Sequence, residues 1–166
     1  LQLGAREGTL LYSSGSSNVS LACPKALCLL LLDSFWTSSP STTYTLWTWG
    51  SGINGKLGTG SVSNVSSPVQ VGSETYWANA TAGDAHTLAV TTGGKLYAWG
   101  YNVFGNLGTG NTTKYSSPVQ VGALTTWLKV AAGGYTSAAI KTDGTLWTWG
   151  YNNYGQLGVG NTTTYS

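Results

Sequence analysis

The residue of this sequence best suited to acid–base or metal chemistry is its only histidine, His86. Asp84 closely precedes it, but a catalytic triad or a metal centre needs further partners at suitable geometry. In the repeat register described below, His86 aligns with Thr136. We therefore expect His86 to make a structural hydrogen bond between strands, and we predict no catalytic residue and no metal site.

The carboxylates are spread along the chain and form no paired motif. Glycoside hydrolysis needs two carboxylates that face one bond, and the spacing of the acidic residues gives no sign of such a pair. Asp143 belongs to a predicted hairpin turn, where its side chain can cap backbone N–H groups. The five acidic residues are Glu7, Asp33, Glu74, Asp84 and Asp143.

Three loops contain closely spaced glycines, as phosphate-binding loops do. The first contains Gly55-Lys56, but no Ser or Thr follows the lysine, and no helix is predicted to begin there. The counterparts of Lys56 are Asn106 and Gln156. We therefore interpret these loops as turns, and we predict that the chain binds no cofactor.

Charged side chains make up only 7% of the 166 residues, and the formal net charge is +2. An average soluble domain has about 25% charged residues. The seven basic residues are dispersed, whereas nucleic-acid binding usually relies on clustered Lys and Arg that displace phosphate counterions. We therefore predict no direct contact with DNA or RNA.

The strongest pattern in the sequence is an internal repeat of fifty residues without drift. Each copy contains an aromatic strand that ends in Trp-Gly, followed by a glycine-spaced loop. The Trp-Gly strands are 46–50, 96–100 and 146–150, and the loops are 55–60, 105–110 and 155–160. The third copy is cut short, so we expect the working protein to be longer than this chain.

Each copy is predicted to contain four short strands. Thr142-Asp143-Gly144-Thr145 carries the Asp-Gly signature of a tight hairpin, and the strand 145–149 has large apolar groups on both faces. Four-stranded sheets at this spacing are propeller blades, which need neighbours to cover their two faces. We predict an all-β fold, a β-propeller fragment with repeats over 46–95 and 96–145 and a truncated repeat over 146–166.

Residues 1–45 do not follow the register. Cys23 and Cys28 lie there in an apolar run over 21–32, which is too short to span a bilayer. The two cysteines could pair in an exported protein, but without further ligands they do not predict a metal site. A divergent blade, an export segment and a mistranslated end of a fragment are the three interpretations of residues 1–45, and the sequence does not choose between them.

The repeat resembles a known family. The runs over 132–140, 143–152 and 155–158 are similar to the regulator of chromosome condensation repeat, and the resemblance extends over about residues 46–166. It implies a seven-bladed β-propeller with about fifty residues per blade. It also implies, as one alternative function, guanine-nucleotide exchange on a small GTPase, but no contact residue of that function can be carried over to this sequence.

Partner-binding residues should vary between copies, whereas aromatic residues that recur in register belong to the core. Trp49, Trp99 and Trp149 are therefore predicted to pack between blades. The variable positions follow the Trp-Gly strand, in loops of the kind that commonly carry function on a rigid scaffold. We predict partner contacts at Tyr101, Phe104, Tyr151 and Tyr154, whose equivalents in the first copy are Ser51 and Asn54.

We therefore expect a non-catalytic binding scaffold that presents propeller loops to a protein or glycan partner. Sparse charge with abundant Gly, Thr, Ser and Asn favours a bacterial or phage protein outside the cell, such as a surface or virion component. The alternatives are guanine-nucleotide exchange and a propeller domain appended to an enzyme outside this chain. An open arc of blades exposes sheet faces and edges, so this chain by itself is expected to self-associate.

Overall fold

A computed structural model describes residues 21–22, 27–33 and 44–166. Within these residues the regular structure is β-strand, apart from one short 3-10 turn, Ile53–Gly55. The strands are β1 (Leu21–Ala22), β2 (Leu27–Asp33), β3 (Tyr44–Gly50), β4 (Val65–Gln70), β5 (Trp77–Ala82), β6 (His86–Thr91), β7 (Leu96–Gly100), β8 (Tyr115–Gln120), β9 (Trp127–Ala132), β10 (Thr136–Lys141) and β11 (Leu146–Gly150).

The strands group into three blades of antiparallel sheet. In the second blade, β5, β6, β7 and β8 pair in chain order. The first blade has the order β1, β2, β3 and β4, and the described part of the third has β9, β10 and β11. A single pair, Tyr44 opposite Trp77, joins the first blade to the second. The prediction of an all-β propeller fragment with four-stranded blades is confirmed.

The fifty-residue units are offset from the blades. Unit 46–95 supplies β3 and β4 to the first blade and β5 and β6 to the second, and unit 96–145 repeats this arrangement one blade further along. A blade therefore closes only when two successive units contribute strands to the same sheet. The division of the chain at residues 45 and 46 stays a prediction.

The segment before the first unit pairs in the register of a blade. On the backbone, Cys28 of β2 lies opposite Trp49 of β3, as Thr87 of β6 lies opposite Trp99 of β7. β2 thus occupies the second position of the first blade. Cys23 lies outside the described residues, and the role of residues 1–45 stays a prediction.

Recurring tryptophans pack against the preceding blade. Trp99 of β7 is fully buried in a cluster with Leu46 of β3, and Trp149 of β11 lies in the equivalent cluster with Leu96 of β7. Large aromatic rings bury more apolar area than any other side chain, so these contacts dominate the adhesion between blades. Trp49 belongs to the first blade and is only half-buried.

A buried loop carbonyl holds the second blade to the first. The carbonyl oxygen of Lys56 accepts hydrogen bonds from the indole N–H of Trp99 at 3.0 Å and from the hydroxyl of Thr87 at 2.8 Å. A Cβ atom at Gly58 would lie 2.6 Å from the indole nitrogen, so this approach requires glycine. We call this arrangement the interblade clamp.

The same clamp joins the third blade to the second. The carbonyl oxygen of Asn106 accepts from the indole N–H of Trp149 at 3.0 Å and from the hydroxyl of Ser137 at 2.6 Å. Here a Cβ atom at Gly108 would lie 2.7 Å from the indole nitrogen. The first and second glycine-spaced loops are thus each fixed by the blade that follows them.

The outer face of the third blade is open in this chain. Leu146 is 65% exposed, whereas its equivalents Leu46 and Leu96 are fully buried by the neighbouring blade. Ile140, which lies opposite Leu146 in the pairing of β10 with β11, is 38% exposed on the same face. An apolar face of this kind favours association with another surface.

The clamp predicts a difference between two glycines of the same conformation. Gly108 and Gly158 have φ of 71° and 69°, but a Cβ at Gly158 would meet nothing within 4 Å. Both alanine variants carry the same backbone strain, and only Gly108→Ala also displaces Trp149. We expect Gly108→Ala to lower the free energy of unfolding by about 2 kcal/mol more than Gly158→Ala. Urea unfolding followed by tryptophan fluorescence measures this, and equal losses would contradict the clamp.

The open face predicts self-association of this chain. Leu146→Ser with Ile140→Ser should lower the weight-average mass measured by light scattering, because it removes apolar area from that face. Val62→Ser is the control, since Val62 is 62% exposed on a loop between β3 and β4. A monomeric parent chain, or an equal effect of both changes, would show that this face does not drive association.

Candidate aromatic binding surface

Five aromatic side chains of the second and third blades form a continuous surface, which we call the aromatic strip. Tyr101 and Phe104 follow β7, Tyr151 and Tyr154 follow β11, and Tyr135 lies in the turn between β9 and β10. Ring contacts connect all five. Three loops from two blades therefore meet side by side.

The central contact of the strip crosses the blade boundary. The ring centroids of Phe104 and Tyr151 are 4.8 Å apart, and Tyr135 lies 5.3 Å from Phe104 and 5.4 Å from Tyr101. Tyr154 extends the strip, with its ring 6.1 Å from that of Tyr151. These distances are in the range of favourable aromatic pairs, and all the rings are tilted or edge-on to one another.

A glycine at the end of each aromatic strand turns the chain toward the strip. Gly150 has φ of 99°, and a Cβ there would collide with the carbonyl oxygen of Tyr135. This close approach allows the Tyr151 N–H to donate to that carbonyl at 3.0 Å. The equivalent bond joins the Tyr101 N–H to the carbonyl of Ala85 at 2.9 Å. The rings thus stand on short, hydrogen-bonded turns.

A buried asparagine fixes each loop that carries the outer rings. The side-chain oxygen of Asn102 accepts from the Leu107 N–H, and its amide group donates to the carbonyls of Asn111 and Thr113, all at 2.9 Å. Asn152 makes the equivalent set of bonds in the next loop. The sequence analysis gave these asparagines no role, although their recurrence after Trp-Gly is a signal of one.

The rings of the strip are accessible to a partner. Tyr154 is 84% exposed and Tyr135 is 42% exposed. Tyr101, Phe104 and Tyr151 are half-buried beneath them. The strip therefore combines a packed base with a solvent-facing edge.

The fold does not require aromatic residues at these positions. The first unit forms the same strands and turns with small or polar side chains in place of the rings. The equivalents of Tyr101, Phe104 and Tyr135 are Ser51, Asn54 and Ala85. The rings thus add apolar surface that the blades do not need for packing, unlike the recurring tryptophans.

One cation borders the strip. The ammonium group of Lys114 lies 4.8 Å from the centroid of the Tyr101 ring and donates a hydrogen bond to the side-chain oxygen of Asn54 at 3.1 Å. A cation over an aromatic face is attracted by the ring quadrupole. The strip thus has a positively charged end at Tyr101.

The structure brings together all four predicted contact residues, Tyr101, Phe104, Tyr151 and Tyr154, and their role in binding stays a prediction. It adds Tyr135, which the sequence analysis did not select. The change from Ala85 to Tyr135 between copies is the same kind of variation that singled out the other four.

His86 is buried in the junction between the second and third blades. Its Nε2 atom lies 2.8 Å from the hydroxyl oxygen of Ser137, which donates its own proton to the carbonyl of Asn106. Nε2 must therefore carry a proton and donate it to Ser137. This places His86 in a structural hydrogen bond between strands, as expected from the sequence.

Burial lowers the pKa of His86 to about 4, and the nearby backbone of Gly134 opposes part of the shift. The imidazole is therefore neutral at neutral pH, in agreement with a single proton on Nε2. A histidine in this setting supports the fold and has no exposed group for chemistry.

Two other candidate positions have structural roles. The Lys56 ammonium donates to the carbonyl of Asp84 at 3.0 Å, and burial lowers the pKa of Lys56 against the opposing charge of Asp84. Its loop therefore does not present a lysine to a phosphate. Asp143 accepts hydrogen bonds from the backbone N–H and hydroxyl of Thr145, which lower the pKa of its carboxyl group. It caps the predicted hairpin turn.

Metal-binding and membrane-spanning features were sought in the described residues. No group of three or more His, Cys, Asp or Glu side chains comes together in that part of the chain. The same residues contain no helix that is long and apolar enough to cross a membrane.

The buried histidine predicts a pH dependence of stability. Its pKa is about 4 in the folded chain and 6.5 when exposed, so between these values the unfolded state binds the extra proton. Stability should therefore fall as the pH is lowered from about 6.5 to 4, by up to about 3 kcal/mol. His86→Thr, which copies Thr136, should flatten this part of the curve. The free energy of unfolding is measured by urea denaturation at several pH values for both proteins. If it fell equally in both as the pH was lowered, the prediction would be wrong.

Three solved structures with similar folds are longer than this chain. Human WBSCR16 has 22% identity and a TM-score of 0.71, with 95% of this chain and 39% of that chain covered. Prp20p from Saccharomyces cerevisiae has 20% identity and a TM-score of 0.70, with 86% and 35% covered. Yeast RCC1 (Prp20) bound to Kap60 has 20% identity and a TM-score of 0.72, with 88% and 35% covered. The chain thus spans little more than a third of their length.

Sequence comparison assigns the family. Among curated proteins, none matches the chain in sequence. The family model of the Regulator of chromosome condensation (RCC1) repeat matches residues 45–90 and 93–140, which make up over half of the chain. A second model of this repeat matches 78–106 and 127–156. The resemblance noted in the sequence is confirmed, and the chain belongs to the RCC1 repeat family.

Proposed function

We propose that this chain is part of a non-catalytic binding scaffold whose aromatic strip contacts a protein partner. The observation that carries the proposal is the strip itself, five contacting rings on a fold that forms without them. Blades of this family supply a rigid framework, and the loops at their ends are free to vary.

The chemistry of the strip suits a protein contact. Tyrosine supplies a large, rigid and amphipathic contact area at a low cost in side-chain entropy, and it is enriched among the residues that dominate interface energies. The loops are already ordered by the bonds of Asn102 and Asn152. Binding would therefore lose little further conformational freedom.

The structural neighbours favour a protein over other partners. Prp20p has been described with its binding properties to Gsp1p and histones, and yeast RCC1 has been described bound to Kap60. These are properties of those longer proteins. At 20% identity they support the class of partner proposed here and leave its identity open.

A partner-selection experiment tests this function. The chain, immobilised at low density, selects binders from a displayed peptide library. The same binders are then tested against a triple variant that copies the residues of the first unit. Its changes are Tyr101→Ser, Phe104→Asn and Tyr135→Ala. We expect at least tenfold weaker binding with an unchanged melting temperature, because the fold accepts both sets of residues.

The matched control replaces exposed apolar residues on β9 and on the segment that precedes it. Leu124→Ser with Leu128→Ser removes side chains that are 47% and 49% exposed and lie outside the strip. This variant should keep the affinity of the parent. If the control variant weakens binding, or if the triple variant binds as tightly as the parent, the proposed surface is wrong.

A further inference from the structure

We propose that the aromatic strip binds a proline-rich segment in the polyproline II conformation, with an acidic residue of that segment beside Lys114. This inference rests on the proposed function and adds the chemical class of the ligand. It follows from the shape, length, hydrogen-bonding groups and charge of the strip.

The rings of the strip are inclined to one another. Neighbouring rings cross at 58° between Phe104 and Tyr151, at 71° between Tyr151 and Tyr154, and at 52° between Tyr101 and Tyr135. Rings inclined in this way present edges and tilted faces but no common flat face. Proline-rich segments dock into aromatic-lined grooves, whereas a sugar ring stacks on a flat aromatic face. The geometry therefore favours proline rings over a glycan.

The length of the strip matches a short peptide. Ring centroids from Tyr101 through Phe104 and Tyr151 to Tyr154 are separated by 6.1, 4.8 and 6.1 Å. This path of about 17 Å is the longest span that the four rings can have, and it equals about five or six residues of polyproline II, which rises about 3.1 Å per residue. Such a segment makes about two turns of three residues and is therefore long enough to cover the whole strip.

The polar groups of the strip complement this backbone. The side-chain hydrogen bonds among the described residues engage the hydroxyls of Tyr115 and Tyr165 but leave the four tyrosine hydroxyls of the strip unused. A polyproline II segment has no internal hydrogen bonds, so its carbonyl groups can accept from donors at its surface. Tyrosine thus supplies both an apolar face and a donor.

The charges around the strip favour an acidic residue at one point of it. Lys114 makes no ion pair with another described residue and lies over Tyr101. A carboxylate oxygen of Asp84 lies 3.3 Å from the position that a Cβ atom of Gly134 would occupy, next to Tyr135, whose ring is 5.4 Å from that of Tyr101. An acidic residue is therefore attracted at Lys114 and repelled on the Tyr135 side of Tyr101. One acidic residue beside Lys114 is the complementary pattern.

Synthetic peptides test the inference on the immobilised chain. The probes are two peptides of six prolines, one with a glutamate at its N-terminus and the other with a glutamate at its C-terminus. Each has a control peptide with glycine and serine in place of the prolines. We expect one of the two proline peptides to bind at least tenfold more tightly than its control. Lys114→Glu should abolish this preference, and a lysine in place of the glutamate should restore binding to that variant.

The outcomes separate this inference from the proposed function. If the glycine–serine peptides bind as well as the proline peptides, the ligand class is wrong and the proposed function stands. The same conclusion follows if no proline peptide binds while the library-selected binders still depend on the strip. If cellohexaose binds through the strip and no peptide does, both are wrong. If Lys114→Glu leaves the affinity for the proline peptides unchanged, the proposed acidic residue beside Lys114 is wrong.

Discussion

The two blades that carry the candidate surface depend on one interaction, a buried loop carbonyl that accepts two hydrogen bonds from the following blade. At both junctions the donors are an indole and a hydroxyl, and a glycine leaves room for the indole. An unpaired buried carbonyl would cost about 1–3 kcal/mol, so the donors and the glycine must be kept together. This explains why the Trp-Gly strand and the glycine-spaced loop recur as a unit.

Positions outside the clamp are free to change, and the aromatic strip uses that freedom. Tyr101 and Tyr151 follow clamped strands, so their backbones are fixed while their side chains face outward. The first copy has Ser51 at the same place and folds into the same strands. Packing thus requires the recurring tryptophans and leaves the rings of the strip available for binding. A large ring is most effective in binding when it lies on a rigid loop.

The repeat made the strands and the recurring core predictable, because period and turn residues are local properties of the sequence. It could not locate the blade boundary, since a periodic sequence has no preferred start and the sheet joins strands from two units. Tyr135 varies between copies as the other four do, but its place in the strip depends on contacts with Tyr101 and Phe104 of the preceding blade, which no local pattern indicates. His86 and Ser137 are 51 residues apart, so their hydrogen bond has no local signal.

The most direct test of the clamp is hydrogen exchange of the individual indole N–H groups, followed by NMR. Trp99 and Trp149 donate to buried carbonyls, whereas the ring of Trp147 is half exposed and donates to an exposed hydroxyl. The account predicts that the first two indole protons exchange only on unfolding or separation of the blades, and that the third exchanges rapidly. Rapid exchange at Trp99 and Trp149 would contradict it.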